Sequence, residues 1–335
     1  MLTLDTLKRV RLTRYPWGQR FVGNFLLGPN LKWFPGAEVI FEDDHLIPEG
    51  PVLFTMNHTD HYNYWPFQYE LWQRYNRFTA TWAKAKYYEG RFAGKFLELT
   101  GNIPTVSRGF IIAKDFLEVV GRRPTDEEYG HLRDWLNAIG EDGQVPPPPF
   151  GADDIPPEIL QTPRNMLGRP FDPSRESYAE AADHLFHAMM EAFRVLNQQA
   201  LDVGLDLLIF PQGTRSKRLS RGHIGAAQIA LRFKLPVVPI GCNGSDVLYP
   251  GGNPFATKGR VVYRFGKPLT YADFKEFHVG EDFLPFSRRA ELQYRDRFQG
   301  TVDIIMDRIN ELLDPPYQFA EGGQSDGVKG AERFV

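Results

Sequence analysis

Short apolar runs alternate with amphipathic helical segments along most of the chain. Three runs with the length and composition of buried strands are "AEVIFE" (37–42), "PVLFTM" (51–56) and "LPVVPIG" (235–241). Segments with helical spacing lie between such runs, for example "WPFQYELWQRYN" (65–76) and "GHIGAAQIALRFK" (222–234). Buried strands that alternate with helices predict an α/β fold in which helices flank a mainly parallel sheet on both faces.

A segment of about a hundred residues, between Arg108 and Phe210, interrupts this alternation. It contains a proline-rich stretch, "VPPPPFGADDIPPEIL" (145–160), between two strongly helical patterns. Consecutive core strands are rarely so far apart, and successive prolines favour a stiff extended conformation. We therefore predict that residues ~115–180 form a helical, proline-rich insertion in a single α/β domain that spans residues 35–315.

The two ends of the chain differ in composition from this domain. Residues 1–34 interleave basic side chains with leucines and aromatic residues, which is typical of an amphipathic helical arm on an anionic membrane surface. A helix packed on the protein's own domain gives the same pattern. This stretch lacks the apolar core of a signal peptide, and no window approaches the ~20 apolar residues of a membrane-spanning helix. Residues 316–335 are rich in glycine and polar residues, which predicts a flexible tail.

Composition and charge limit the classes of function. With 39 basic and 42 acidic residues the net charge is −3, so no global field favours a nucleic-acid partner. The single cysteine, Cys242, excludes internal disulfides and cysteine-based zinc sites, and it fits a reducing compartment. It lies in an apolar run, where a small core residue is the expected role.

A dense group of polar side chains directly follows the strand at 51–56. His58, Asp60 and His61 form an H-x-D-H pattern, which first suggests a metal site. In metallo-β-lactamase-like hydrolases another histidine precedes this pattern, but Met56 holds that position here. We therefore predict no metal site, and a solvated turn or a cap is the expected role for His61.

A second polar feature follows the apolar run that ends at Phe210. Gly213 and Thr214 let the backbone turn with its N–H groups exposed. Four basic residues gather there: Arg215, Lys217, Arg218 and Arg221. Positive charge and backbone N–H groups at a strand end predict an anion site, most simply for a phosphate. A solvated basic loop is the alternative.

Four motifs, in this order along the chain, resemble those of the glycerolipid acyltransferase family, best known from 1-acylglycerol-3-phosphate acyltransferases. They are "NHTDHYN" (57–63), "GNIPTVSR" (101–108), "FPQGTRS" (210–216) and "VVPI" (237–240). Alone, Arg108 would be taken for a surface arginine, but four ordered motifs are hard to obtain by chance. The resemblance covers roughly residues 35–110 and 200–270 and leaves the insertion, the arm and the tail outside it.

The resemblance implies direct acyl transfer, with an acyl-CoA or acyl-ACP thioester as co-substrate and no further cofactor. In the family a histidine, here His58, removes a proton from a substrate hydroxyl, which then attacks the thioester. The positions that hold the acceptor's phosphate correspond to Arg108, Gly213, Thr214 and Arg215. The implied acceptor is a lysophospholipid or a glycerol phosphate, and the implied role is phospholipid biosynthesis at the cytoplasmic face of a membrane, as a peripheral protein.

Two positions depart from the family's pattern, and each replaces a carboxylate by its amide. Asn63 stands where the family has the aspartate that orients the histidine, and Gln212 stands where F-P-E-G-T-R-S has its glutamate. By the resemblance, Gln212 is expected to bind substrate together with Gly213, Thr214 and Arg215. An amide accepts a hydrogen bond from the imidazole but carries no charge, and in serine proteases the analogous change costs about 10⁴ in turnover.

Three explanations of the exchange are open. Asp60 can replace the missing carboxylate; the amide can suffice because a thioester is already activated; or the chain can be a weakened or non-catalytic relative that still binds lipid or acyl-CoA. An acyltransferase with a non-phosphate acceptor is a further alternative. Aromatic residues are candidates for an acyl-chain groove, although such residues usually form core: Tyr62, Tyr64, Trp65, Tyr87, Tyr88 and Phe92.

Overall fold

Seven strands form one central sheet in the computed structural model, which describes residues 2–33, 36–280, 282–320 and 322. A separate hairpin consists of β5 and β6. The strands are β1 (Ala37–Glu42), β2 (Leu53–Met56), β3 (Thr79–Lys84), β4 (Ile103–Thr105), β5 (Arg164–Met166), β6 (Arg169–Phe171), β7 (Asp206–Ile209), β8 (Val237–Asn243) and β9 (Gly259–Phe265).

The order of strands in the sheet is β1-β9-β8-β2-β7-β3-β4. Every pair from β8 to β4 is parallel, whereas β9 runs antiparallel to β8 and carries β1 parallel to itself at the sheet edge. The predicted mainly parallel sheet is therefore confirmed. Because parallel strands end on the same side, the segments that follow β2, β3, β4 and β7 emerge at one edge of the sheet.

Helices cover both faces of this sheet, as predicted. They are α1 (Leu4–Arg9), α2 (Trp17–Val22), α3 (Gly28–Lys32), α4 (Tyr64–Tyr75), α5 (Arg91–Leu99), α6 (Arg108–Val120), α7 (Asp126–Asn137), α8 (Pro157–Gln161), α9 (Tyr178–Asp202), α10 (Gly225–Phe233), α11 (Ser245–Leu248) and α12 (Arg288–Glu311). Side chains alternate between the two faces: Leu53 and Leu207 pack with α9, α10 and α12, whereas Phe54 and Leu208 pack with α3, α4 and α11.

The long segment between β4 and β7 folds as α6, α7, α8, the β5–β6 hairpin and α9. Ser177 and Glu180 form a capping box that fixes the start of α9. From there α9 contacts β4 and β7 of the sheet and packs against α6 and α7. The apolar face of α9 is buried along its length, so this helix forms part of the layer that covers one face of the sheet.

The first thirty residues dock onto the domain at two places. Leu4 and Leu7 of α1 are buried against α9, and the Leu4 N–H donates to the Leu167 carbonyl. At the second place, the side-chain amide of Gln19 in α2 donates to the Thr79 and Thr100 carbonyls. A π-helical turn, Gly23–Leu27, then leads into α3. None of the described helices is both long and apolar enough to cross a membrane.

Part of the predicted tail is ordered along the basic loop. The segment Pro315–Tyr317 is a 3₁₀ turn, and Phe319 forms a bridge with Leu219. The Ala320 N–H donates to the Leu219 carbonyl. Residue 321 and residues 323–335 of the predicted tail lie outside the described residues.

Candidate active site

A cavity of about 650 Å³ opens at the carboxyl ends of β2, β3 and β7. His58, from the loop after β2, and Phe210, from the loop after β7, lie in its wall. The carboxyl edge of a parallel sheet is where ligands bind in open α/β folds. Asn102 and Thr105 of the "GNIPTVSR" motif also line this cavity, so three of the four motifs contribute side chains to one concave site.

Two separate loops hold the half-buried His58 in place. The His58 N–H donates to Oε1 of Gln212 at 2.9 Å, and the Ser216 N–H donates to the His58 carbonyl at 2.9 Å. The imidazole stacks on the ring of Phe210, with centroids 4.1 Å apart and planes inclined by 20°. The histidine loop and the basic loop, more than 150 residues apart in the sequence, are thus joined by backbone and ring contacts.

Asn63 determines which nitrogen of the imidazole carries the proton. Its Nδ2 donates to the Asn57 carbonyl at 2.8 Å, so its Oδ1 faces Nδ1 of His58 at 3.0 Å. An amide oxygen only accepts, and therefore Nδ1 must be the protonated nitrogen. Asn57 is itself fixed by two hydrogen bonds to the backbone of Cys242 in β8. This chain of amides leaves Nε2 as the basic nitrogen of His58.

The surroundings of His58 favour the neutral imidazole. Burial lowers its pKa from 6.5 to about 3, the hydrogen bond with Asn63 opposes this shift, and the positive charges of Arg215 and Lys84 add to it. Arg215 and His58 line the same cavity at the carboxyl edge of the sheet. A neutral imidazole is ready to accept a proton at physiological pH, although such a low pKa makes it a weak base.

Asp60 does not replace the missing carboxylate, which corrects one of the three explanations above. Its Oδ1 accepts the Tyr62 N–H at 2.8 Å and its Oδ2 accepts the Thr59 hydroxyl at 2.8 Å. The side chain is buried and shapes the turn after β2, while Asn63 bonds to the imidazole. His61 lies exposed at the cavity, so it lines the site as well as belonging to the turn.

Gln212 does not line the cavity; its buried side chain connects the histidine loop to the basic loop. Besides accepting the His58 N–H, its buried amide donates through Nε2 to the Arg218 carbonyl at 3.3 Å. A glutamate has no N–H to donate to that carbonyl at neutral pH. The exchange of glutamate for glutamine therefore fits this loop, and the expected role of Gln212 in substrate binding changes to a structural one.

Of the four basic residues after β7, Arg215 lines the cavity together with Gly213 and Thr214. Gly213 has φ +67°, and a Cβ atom there would lie 2.7 Å from the His223 ring, so the turn requires glycine. The other three basic residues contact groups elsewhere: Lys217 lies 3.3 Å from Asp246, Arg218 donates to the Gln318 and Phe319 carbonyls, and Arg221 lies 3.9 Å from Asp303.

Arg108 lies outside the cavity lining, which differs from its expected role as a phosphate ligand. Its guanidinium lies 3.1 Å from Glu291 of α12 and 3.8 Å from Asp183 of α9. The same group covers the ring of Phe186 at 4.3 Å. These contacts connect α6 to the helices on either side, so the structure gives Arg108 a packing role.

The sequence analysis did not identify two cations of the cavity. Lys84 ends β3 and Lys86 lies in the 3₁₀ turn that follows, and both line the cavity. Their signal was present, because basic residues at the carboxyl end of a parallel strand point to the ligand edge of the sheet. Among the candidate aromatic residues, three line the cavity: Tyr62, Tyr64 and Tyr87. Tyr88 is buried, and Phe92 is 94% exposed.

In the part of the chain that the structure describes, no three histidine, cysteine, aspartate or glutamate side chains are grouped to hold a metal ion. The pattern His58-x-Asp60-His61 does not converge on one point. Its members instead meet the Asn63 amide, the backbone of the turn and the cavity.

Comparison with known proteins adds a relative for part of the chain. No family model matches. Over 91 residues, 27% of this chain, the sequence is 29% identical to a 1-acyl-sn-glycerol-3-phosphate acyltransferase of Cocos nucifera; the match covers 30% of that relative. The solved structure of PlsC, a 1-acyl-sn-glycerophosphate (LPA) acyltransferase from Thermotoga maritima, is 13% identical with a TM-score of 0.36, over 90% of this chain and 79% of that one.

The order and direction of the strands define the fold of this chain. The sequence similarity to the plant enzyme agrees with the family that the four ordered motifs indicate. The four ordered motifs and this partial match relate the chain to glycerolipid acyltransferases, and the matched segment spans 30% of the plant relative.

Proposed function

We propose that the chain transfers a fatty acyl group from a CoA or ACP thioester to the hydroxyl of a lysophospholipid or glycerol phosphate. The observation that carries this proposal is the imidazole of His58, which Asn63 orients from behind, in the wall of a cavity that Arg215 also lines. A base with a fixed tautomer beside an anion-binding cation suits a hydroxyl acceptor that bears a phosphate.

The reaction needs one proton carrier. Nε2 of His58 takes the proton of the acceptor hydroxyl, whose oxygen attacks the thioester carbonyl and forms a tetrahedral oxyanion. Collapse of this intermediate forms the new ester and expels the thiolate, which recovers the proton from Nε2. Asn63 keeps the ring oriented throughout, with Nδ1–H donated to its Oδ1. Thus no side chain of the protein becomes acylated.

The uncharged Asn63 supports the second of the three explanations. It provides orientation without the charge that would stabilise an imidazolium. A thioester is an activated donor, so the proton transfer needs less assistance than amide cleavage does. The imidazole of His58 is oriented by Asn63, and Gln212 makes hydrogen bonds on both sides of its loop, to the His58 N–H and the Arg218 carbonyl. This order in the site favours an active enzyme over a non-catalytic relative.

The protein binds this acceptor at a lipid surface, and its exposed aromatic side chains suit such a surface. Trp17, Phe21 and Phe25 stack in a row, with ring centroids 5.1 and 4.9 Å apart, and each side chain is exposed. Phe92 of the neighbouring α5 is 94% exposed, and Phe96 is both exposed and part of the cavity wall. An exposed aromatic surface continuous with the cavity suits a membrane interface, where amphipathic acceptors reside.

The position of the surface relative to the cavity supports a peripheral protein rather than a freely diffusing one. Exposed cations flank the aromatic row, among them Arg14, Arg20 and Lys32, and they would favour an anionic leaflet. The single buried Cys242 agrees with a reducing, cytoplasmic side.

Mass spectrometry of lipid products tests the proposed reaction. The chain is incubated with palmitoyl-CoA or palmitoyl-ACP and with lysophosphatidate, glycerol 3-phosphate or monoacylglycerol. We expect an acylated phosphate-bearing product with at least one donor, and none with His58→Gln. Product from monoacylglycerol alone would indicate a non-phosphate acceptor. Absence of any product, with lipid binding intact, would indicate a non-catalytic relative.

A further inference from the structure

The hydroxyl of Tyr263 in β9 contacts the backbone of the residue that orients His58. It donates to the Asn63 carbonyl at 2.5 Å, although the two residues are 200 positions apart in the sequence. Burial raises the pKa of this hydroxyl well above its usual value, so it stays protonated and remains a donor. The main chain of Asn63 is therefore fixed by a side chain that belongs to none of the four motifs.

Tyr263 lies directly beside Cys242 of β8 in the sheet, and the two residues hold both ends of the histidine loop, residues 57–63. The Cys242 carbonyl accepts a hydrogen bond from the Asn57 side chain at 2.9 Å, and the Cys242 N–H donates to the same side chain at 2.7 Å. Asn57 begins the loop, and Asn63 ends it. One pair of neighbouring residues in the sheet therefore holds the two asparagines that surround the base.

The ring of Tyr263 cannot easily move away from this position. It is fully buried, and it packs against Phe41 and Phe67 with ring centroids 5.6 Å apart in each case. Close packing restricts a buried side chain to one conformation. The hydroxyl therefore reaches the Asn63 carbonyl from a position that the core defines.

An amide needs this support more than a carboxylate would. Either oxygen of a carboxylate can accept the Nδ1 proton of a histidine, whereas an amide has a single oxygen and presents a donor when it turns over. The fully buried Asn63 is held at three points: its Oδ1 faces His58, its Nδ2 donates to the Asn57 carbonyl, and its own carbonyl accepts from Tyr263. Since no charge attracts the imidazole, its orientation depends on these neutral contacts.

We propose that Tyr263, supported by its neighbour Cys242 in the sheet, is a positioning residue for the base His58. Its hydroxyl fixes the backbone of Asn63, the Asn63 amide keeps the proton on Nδ1, and Nε2 stays free to accept a proton. The effect on acyl transfer rests on the proposed function, whereas the effect on the tautomer requires no reaction.

NMR spectroscopy of the full chain labelled with ¹⁵N-histidine measures the tautomer directly, and His58→Gln identifies the signals of His58. The unmodified chain should show a protonated Nδ1 and an unprotonated Nε2 at neutral pH. Tyr263→Phe removes only the hydroxyl, and we expect both tautomers to be populated, so that the shifts of the two nitrogens move toward each other. Phe41→Leu is the matched control, because it loosens the packing of the same ring and leaves the hydroxyl in place; it should keep the single tautomer.

Steady-state kinetics tests whether Tyr263 acts through Asn63. We expect Tyr263→Phe to lower kcat by about tenfold, the equivalent of one hydrogen bond, with KM unchanged. In an Asn63→Ala background the same substitution should change kcat by less than about twofold, because the group that Tyr263 positions is already absent.

Three results would overturn the proposal. They are a single tautomer in Tyr263→Phe, an equal mixture in Tyr263→Phe and Phe41→Leu, and the same loss of kcat from Tyr263→Phe with and without Asn63. If Tyr263→Phe does not fold, Asn57→Ala cuts the second contact of the pair and should give the mixture of tautomers; a single tautomer there also overturns the proposal. A tautomer change confined to Tyr263→Phe, without acyl transfer by the unmodified chain, refutes the reaction and keeps the positioning role.

Discussion

The Oδ1 atom of Asn63 lies 3.0 Å from Nδ1 of His58, and the opposite end of the same amide is held by the Asn57 carbonyl. The amide therefore cannot rotate without losing a buried hydrogen bond. This relationship replaces a charged partner with a neutral one while keeping the orientation of the imidazole. It divides two effects that a carboxylate combines: fixing the tautomer and stabilising the imidazolium.

Asn63→Asp should restore the charge and lose an internal hydrogen bond. The carboxylate raises the pKa of His58, and we expect kcat to rise on the order of tenfold, because the tautomer is already correct. The Asn57 carbonyl loses its donor, so the free energy of unfolding should fall by about 1–3 kcal/mol. Steady-state kinetics and urea unfolding measure the two effects. Asn63→Ala, which removes the orientation, should lower kcat; an equal kcat in all three proteins would contradict this role.

His58 should make the protein less stable as the pH falls. Its pKa is 6.5 without the influence of the fold and about 3 in the folded protein, so between these values the unfolded chain binds the proton more readily. Its contribution to the free energy of unfolding is present above pH 6.5 and is lost as the pH falls toward 3. Urea unfolding between pH 4 and 8 should show a flatter pH dependence for His58→Gln.

His187 provides a control of opposite sign for that experiment. Its hydrogen bond with Asp183 raises its pKa, so its contribution is present below 6.5 and is lost as the pH rises through the raised value. His187→Gln should therefore lose stability mainly at acidic pH. The same pH dependence for both variants would contradict the opposite environments of the two histidines.

Arg108→Met should destabilise the fold and leave substrate affinity unchanged. The substitution removes the partner of Glu291 and a charge next to the buried Asp183, at an expected cost of about 1.5–3 kcal/mol in the free energy of unfolding. Arg308→Met breaks an exposed pair with Glu311 and should cost less than about 1 kcal/mol. Equal costs from denaturant titrations, or a large rise in KM for Arg108→Met, would refute the packing role.

The exposed aromatic surface should control binding to lipid vesicles. Phe92→Ser and Phe25→Ser each remove apolar area from the proposed interface, and we expect vesicle affinity to fall by about tenfold for each. Cosedimentation with phosphatidylcholine vesicles containing phosphatidylglycerol measures it. Leu292→Ser, an exposed apolar residue on α12, is the matched control and should bind as the unmodified chain does. If all three variants bound equally, the surface would have another role.

The core strands could be predicted because each is a short apolar run, and β2, β7 and β8 are buried throughout. The strand β4 has only three residues, with Pro104 in its middle. Three residues are too few to show an alternation of apolar and polar side chains, so the sequence pattern could not predict this strand. The pattern of apolar and polar residues also could not predict that β9 runs antiparallel to β8. Side-chain alternation is the same in parallel and antiparallel strands, whereas the direction depends on the connection between them.

The motifs located the histidine and the basic loop, because both follow predicted strands directly. They could not place Arg108, since its orientation depends on Glu291, which lies far along the chain in α12. Lys84 and Lys86 lie at the end of β3 much as His58 follows β2, but they belong to none of the four ordered motifs. For Asp60, the two-residue separation from His58 was compatible with an ion pair. The geometry of the turn instead directs its carboxylate to the Tyr62 N–H and the Thr59 hydroxyl.

The most direct measurement follows the release of free thiol from acyl-CoA and from acyl-ACP, with and without lysophosphatidate, by the unmodified chain and by His58→Ala. The proposed mechanism predicts release that depends on the acceptor with at least one donor, and a fall of about 10²–10⁴-fold in the variant at unchanged stability. Release that is independent of lysophosphatidate, or equal in the two proteins, would contradict His58 as the general base of an acyltransferase.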